Sequence, residues 1–391
     1  MAGCAREHSL VSIRSEQAKE ATTQKNIDLA VIGGGLIGAA IAWGAVRQGA
    51  NVVVLDEGDA AFRASRGNFG LIWLQGKGIG APPYMRWSLR AGRLWQDFNA
   101  MLVEDCGFDI GWRRPGGFHF CFSDEELEGR RTIVEQTRSV GGDIDIEVIE
   151  RPQLQKDLPR LGERVAGASY CSADSHVSPL LLMRALHLLL QRHGGAYRAG
   201  FTVDRVQPDG KGFILSSSGE QMGCQRVVIA AGLGGQSLAR QVDIDLPVQP
   251  ERGQIVATER VAPFFPYASN CLRQTEEGSF LFGSSHEDAG LDDGTDVRTA
   301  AKLIKTATDV FPSVGHASVL RIWGALRIMS QDGWPIYQQS SRYPGAFGVT
   351  CHSGVTLASV HALDLGPAVL EGRLPDDVRA FSSDRFHVQT H

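Results

Sequence analysis

No stretch of this 391-residue sequence runs for about 18 apolar residues without interruption, the length a helix needs to cross a bilayer, so no transmembrane segment is expected. Cysteines are not clustered. The seven stand at positions 4, 106, 121, 171, 224, 271 and 351, and the tightest spacing is Cys106 to Cys121. That argues against a disulfide scaffold, a zinc ribbon or an iron–sulfur cluster held by this chain alone. No metal ligand set is assigned, and a reducing, cytoplasmic setting fits. Positive charge is not in excess. With 39 Lys and Arg against 44 Asp and Glu, the formal charge of −5 gives no general electrostatic reason to expect nucleic acid as a partner. Repeats and low-complexity segments are absent, which sets solenoids aside. Residues 1–26 contain no apolar h-region, so they read as a flexible polar tail or a partner-binding arm rather than a secretory leader.

What is present is ordinary in composition, 43% apolar and 21% charged, and long enough for two domains or one elaborate one. The organising stretch is Ile27 to Gly58. Ile27–Ile32 is an apolar run too short for a helix, Gly33, Gly35 and Gly38 supply G-x-G-x-x-G, Leu36 to Gln48 carries a helix, and Val52–Leu55 is a second strand ending at Asp56. Asp56 follows Gly33 by 23 residues, close to the ~20 expected of an acid that accepts hydrogen bonds from a ribose. Gly33 permits the turn, Gly35 leaves the backbone open to a pyrophosphate, and Gly38 lets helix and strand approach. The order strand, glycine turn, helix, strand, acid predicts dinucleotide binding at a helix N-terminus.

Further on, Ser65, Arg66, Gly67, Asn68 and Phe69 form a small-residue loop that reads either as a wall for a diphosphate or flavin ring or as a surface turn. A glycine-rich turn at 75–80 follows. Tyr84 to Leu102 has helical spacing, Gly111 to Phe122 is aromatic and strand-like, and Ser123 opens a charged helix. Pro179 to Arg192 is an apolar helix led by Ser178. Phe201 to Ile229 alternates as two or three strands and ends in VVIAAG. Pro247 to Thr258 reads as a strand broken at Gly253, Phe280–Ser284 as an inner strand, and Thr299–Val310 as a helix. Cys351-His-Ser-Gly starts the last apolar helix, with Ser353 a candidate cap.

Together ASRGNFG, VVIAAG, ERGQI and WGALRIMSQDGWPI resemble the D-amino-acid oxidase family of FAD-dependent oxidoreductases, from about Ile27 through the C-terminal helix. Within it, ASRGNFGLIW-QGKG and CHSGVTLA look more like the catalytic β subunits of opine dehydrogenases and of D-hydroxyproline dehydrogenase. The resemblance implies an α/β fold with a Rossmann-type FAD-binding domain assembled from separated segments (27–80, 146–241 and 326–385) and a mixed β-sheet substrate domain (81–145 and 242–325). FAD is expected to be non-covalent, because Arg327 to Ser330, the segment matching the attachment site of monomeric sarcosine oxidase, contains no cysteine.

The same resemblance implies that Arg327 binds a substrate carboxylate, the alternative being a structural ion pair, and that His352 lies near the ring, the alternative being a structural histidine. Val203, Ala231 and Gly232 fall on the adenine side; Ser353, Gly354, Val355 and Thr356 approach the flavin. Trp73 and Tyr84 read as core more than as pocket wall. Ile328 replaces the proline usual after the family arginine, and His352-Ser-Gly replaces the His-Phe-Arg of glycine oxidases. The implied activity is amine oxidation of an amino or imino acid or opine, in a subunit whose partner carries FMN or an iron–sulfur cluster. The competing readings are a self-sufficient oxidase that releases hydrogen peroxide and a non-catalytic, FAD-stabilised assembly subunit.

Overall fold

The strand, turn, helix, strand unit forms as read. In the computed structural model, which describes residues 27–58, 63–140 and 144–387, β1 runs Ile27–Ile32, α1 Leu36–Val46 and β2 Val52–Asp56. The segment read as a tail, 1–26, lies outside the described residues. β1 and β2 pair in parallel, from Leu29 opposite Val52 to Ile32 opposite Leu55. Both are buried almost throughout, as parallel strands covered on two faces require.

This pair sits inside an eight-stranded sheet. Its order is Ile336–Gln339, Ala346–Thr350, Glu220–Ile229, β1, β2, Ala196–Ala199, with Arg205–Asp209 and Gly212–Ser217 attached as an antiparallel meander. The Rossmann-type sheet is thus drawn from distant parts of the chain. Three strands form between Phe201 and Ile229, the first beginning at Arg205, which leaves Phe201 and Val203 free to line a cavity.

Two four-stranded sheets lie beyond it, and Leu71–Ile72 pairs with Ser175–His176 as a two-stranded one. Leu272–Gln274, Ser279–Gly283, Val248–Arg260 and Val319–Ser330 form an antiparallel sheet; Ala268–Ser269, Gly117–Cys121, Gly167–Cys171 and Ile146–Glu150 form a mixed one. The mixed sheet therefore joins strands from both 81–145 and 146–241, because hydrogen-bonded neighbours need not be sequence neighbours. An aromatic cluster that includes Phe118, Phe120, Phe265, Phe280 and Phe311 packs between the sheets, where large rings bury much apolar area. The break read at Gly253 does not occur. Val248–Arg260 is one strand, and Gly253 stays in its ladder opposite Ala325.

Helix α1 is buried at every position except Ile37. It packs against Pro179–Arg192 and against the C-terminal helical run from Ala358 to Leu370, which passes through a π-turn at His361–Leu365. The approach is close: a Cβ on Gly44 would lie 1.8 Å from the Ala362 carbonyl oxygen. Gly44→Ala must therefore part the two helices. It is expected to lower unfolding free energy by about 2 kcal/mol, the usual scale for overpacking, read from the denaturation midpoint of the holoprotein. No described helix is long and apolar enough to cross a membrane.

Candidate active site and cofactor cavity

The carboxyl ends of β1, β2 and Glu220–Ile229 open on a cavity of about 440 Å³ lined by Gly33, Gly35, Asp56, Ser65, Val203, Ala231 and Gly232, among others. Ligands of open α/β sheets bind at this end of the strands. Gly33 has φ +104°, and a Cβ there would lie 2.5 Å from the Ala230 carbonyl oxygen, so only glycine makes this turn. Gly35 is different. Its φ of −67° suits any residue; what it supplies is space, since a Cβ would stand 3.0 Å from Ser65 Oγ at the cavity wall.

The Leu36 amide donates to Ser65 Oγ at 2.9 Å, which ties the 63–70 loop to the start of α1. Asp56 Oδ2 accepts from the Gly34 amide at 2.7 Å and Oδ1 from the Gly58 amide at 2.9 Å, so it fixes the glycine turn while lining the cavity. No acidic side chain occupies the first turn of α1, and the positive end of its dipole stays uncompensated. These features fit a dinucleotide. Gly38 does not reach the cavity. A Cβ there would lie 2.0 Å from the Gly33 carbonyl oxygen, so it sets the spacing of helix and turn. Arg66 lines a separate pocket of about 40 Å³ beside Gly34, Asp56 and Tyr197.

A second cavity, about 270 Å³, shares Leu36, Ile37, Ala64, Ser65, Leu326 and Ile328 with the first. It brings together Gly67, Asn68, Phe69, Arg327, His352, Ser353, Gly354, Val355 and Thr356, which are scattered over almost three hundred positions of sequence. Asn68 Oδ1 accepts from the Gly70 amide at 2.7 Å, and Thr356 Oγ1 accepts from the Trp73 amide at 3.2 Å. Trp73 is a wall of this cavity, contrary to the reading of it as core. Tyr84 is buried and packs against Phe381.

Arg327 stands directly opposite Glu251 in the ladder between Val248–Arg260 and Val319–Ser330. Its Nη1 donates to Glu251 Oε1 at 3.0 Å, and Nη2 donates to Ser284 Oγ at 2.6 Å and the Ser285 carbonyl at 2.8 Å. Gly253 makes room for it, because a Cβ would lie 2.6 Å from Nη2. Arg327 is thus an ion-pair partner and a cavity wall at once. Burial pulls its guanidinium below the ordinary value, and Glu251 opposes that.

His352 is held well below the ordinary histidine range, first by the charge of Lys77, then by burial and Arg327. It is neutral at pH 7. Lys77 Nζ lies 3.2 Å from His352 Nε2, which makes Nε2 the acceptor and places the ring proton on Nδ1. Lys77 also donates to Ser353 Oγ at 2.7 Å, and Tyr84 OH lies 2.8 Å from the same oxygen. Ser353 therefore does not cap the last helix, whose first α-helical residue is Ala358.

Lys77, Glu251 and Ser284 escaped the sequence reading. For Lys77 the available signal was a lone cation set between Gly76 and Gly78 and following a loop already assigned to the flavin; for Glu251 it was the ERGQI motif, whose acid meets Arg327 only once strand register is known.

A family model described as FAD dependent oxidoreductase (DAO) matches residues 28–365. The B subunit of opine oxidase from Rhizobium meliloti is 42% identical over 365 residues, 93% of this chain and 98% of that protein. The protein of the same name from Agrobacterium tumefaciens is 40% identical over a span of the same length. Among solved structures, glycine oxidase from Geobacillus kaustophilus superposes with a TM-score of 0.85 at 23% identity, covering 93% of this chain and 98% of its own, and so shares the fold.

Proposed function

The chain belongs to the DAO family of FAD-dependent oxidoreductases, and from that premise we propose that it is the FAD-binding catalytic subunit of an enzyme oxidising the C–N bond of an opine or a related amino or imino acid. The observation that carries this reading is the shared wall of the two cavities. A dinucleotide held in the first would have one end at the second, where Arg327 and His352 line the wall. The 40–42% identity to the B subunits of two opine oxidases supports the substrate class and the need for a partner, and such a partner is the place for an FMN or iron–sulfur centre. In this reading the eight-stranded sheet carries the dinucleotide, and the two four-stranded sheets cover the substrate.

The reaction proposed is loss of a hydride from the carbon beside a neutral amine, leaving a cationic iminium ion that water hydrolyses to a carbonyl compound and an amine. FAD, when bound, supplies the two-electron acceptor. The chain supplies position: Gly33 and Gly35 would admit the diphosphate, Asp56 would receive the ribose, and Ser65 to Phe69 with Ser353 to Thr356 would hold the ring. Arg327 orients a carboxylate, its plane fixed by Glu251 and Ser284. His352, uncharged, adds no repulsion toward the positive charge that develops as the hydride leaves, and offers a polar edge near it.

The test is an anaerobic titration of the purified holoprotein with octopine, nopaline, D-hydroxyproline, sarcosine and D-amino acids. Bleaching of the ~450 nm flavin band by one of these identifies the substrate class; reoxidation on admitting air separates an oxidase from a dehydrogenase. Arg327→Ala should raise the KM of the bleaching substrate by on the order of 30-fold or more, the ~2 kcal/mol or more of a truncated buried charge pair. An unchanged KM would remove Arg327 from the carboxylate site.

A further inference from the structure

The second cavity has two cationic walls, and they differ in how their charge is met. Arg327 already shares its charge with Glu251. Lys77 does not: among the described residues no carboxylate lies within ion-pairing distance of its ammonium, whose hydrogen-bonding contacts are the neutral Ser353 hydroxyl and His352 imidazole, and the buried Asp174 carboxyl acts on it only from farther off. An ammonium has three donors, so one remains beyond these two contacts. Burial lowers this ammonium to about 8 from 10.5, and a cation with no carboxylate in contact at the edge of a half-enclosed cavity is costly unless the ligand supplies the anion.

The chain also holds Lys77 in place from behind. The buried Asp174 carboxylate accepts from the Leu74 amide at 2.6 Å, the Gln75 amide at 3.3 Å and Gln75 Nε2 at 2.7 Å. The Lys77 amide then closes a turn on the Leu74 carbonyl. Gly78 has φ +68°, and a Cβ there would lie 2.4 Å from the Met85 amide nitrogen. The turn is therefore anchored on both sides of Lys77, and its side chain is delivered to the cavity by a fixed backbone.

We propose that Lys77 is a second carboxylate anchor of the substrate site, acting beside Arg327, so that the cavity favours secondary amines flanked by two carboxylates over amines carrying one. The proposal rests on the amine-oxidation reading above. In it, the amine-bearing carbon is suspended between two charge contacts, one at the Val319–Ser330 strand and one at the Gln75–Gly80 turn. Both contacts lie outside the bond being oxidised, so Lys77 positions and selects rather than reacting.

The test uses holoprotein, with its partner chain if one copurifies. For wild type, K77M and K77R, kcat and KM are measured with octopine, which carries two carboxylates, and with sarcosine or the best one-carboxylate amine. Sulfite affinity for the oxidised flavin is measured as well. In K77M the octopine-to-monocarboxylate ratio of kcat/KM should fall by on the order of 30-fold or more, with the loss in KM, and K77R should recover part of it. Retained flavin absorbance certifies that the variants fold.

A K77M effect equal for both substrate types overturns the proposal. So does an unchanged substrate ratio with weakened sulfite binding, which would make Lys77 a charge partner of the flavin instead. If wild-type flavin is bleached by no amine, the amine-oxidation reading itself has failed, an outcome distinct from either of these.

Discussion

Gly35→Val should yield a folded protein that purifies without its flavin. The backbone at Gly35 has an ordinary φ of −67°, so valine adds no conformational strain. The side chain instead occupies the wall of the 440 Å³ cavity where α1 begins, pressed against Ser65 Oγ, which the Leu36 amide needs as its acceptor. Steric displacement of this kind costs about 1–3 kcal/mol. Each hydrogen bond from an amide to a charged phosphate that is lost adds about 1.5–3 kcal/mol. Together they weaken FAD binding by on the order of 100-fold or more. Absorbance near 450 nm of the purified variant, with circular dichroism as a check on folding, decides the matter. Flavin retained at the wild-type level would falsify the placement of the diphosphate at this turn.

Asp174→Ala should be among the most destabilising single substitutions in the chain. Asp174 is fully buried, and its carboxylate is the acceptor for two backbone amides and the Gln75 side chain. Gln75 Oε1 in turn accepts from Arg130 Nη2 at 2.9 Å and from Ser169 Oγ at 2.6 Å. Alanine leaves two amides without an acceptor and Arg130 without its nearby counter-charge. Losses on this scale come to about 3–5 kcal/mol, measurable as a lowered denaturation midpoint. Because Lys77 belongs to the same turn, substrate KM should rise in whatever fraction still folds.

The charge on Asp174 also gives a pH signature. Burial pushes its carboxyl up to about 7 from 3.8, against the pull of its hydrogen bonds and Arg130. A folded state that holds a proton the unfolded chain has released is favoured by acid. This contribution is therefore complete below about pH 4 and lost as pH rises toward 7. Asp174→Asn carries no such proton. Its stability relative to wild type should improve as pH goes from 4 to 7, and a constant difference across that range would contradict a raised carboxyl.

Much of the fold was legible because its signals are local. Apolar runs bounded by glycine marked β1 and β2 to within a residue, and Ser178-Pro179 and Ser123 marked helix starts whose capping hydroxyls accept from amides three residues on. G-x-G-x-x-G with a terminal acid carried its own geometry, since turn, helix and second strand are contiguous. The strand break read at Gly253 had a local motive too, because glycine weakens an isolated strand. Eleven residues, Val248 to Thr258, paired to Val319–Ser330 outweigh that preference.

The substrate side was different in kind. Arg327 was found by motif, but its pairing with Glu251, 76 residues away, depends on the register of two strands. Nothing near Lys77 in sequence foretells its meeting with His352 and Ser353, more than 270 positions away. Chain-local patterns specify the dinucleotide turn because every contact in it is short-range. The charges of the second cavity act through space, and where they meet is set by how the sheets pack.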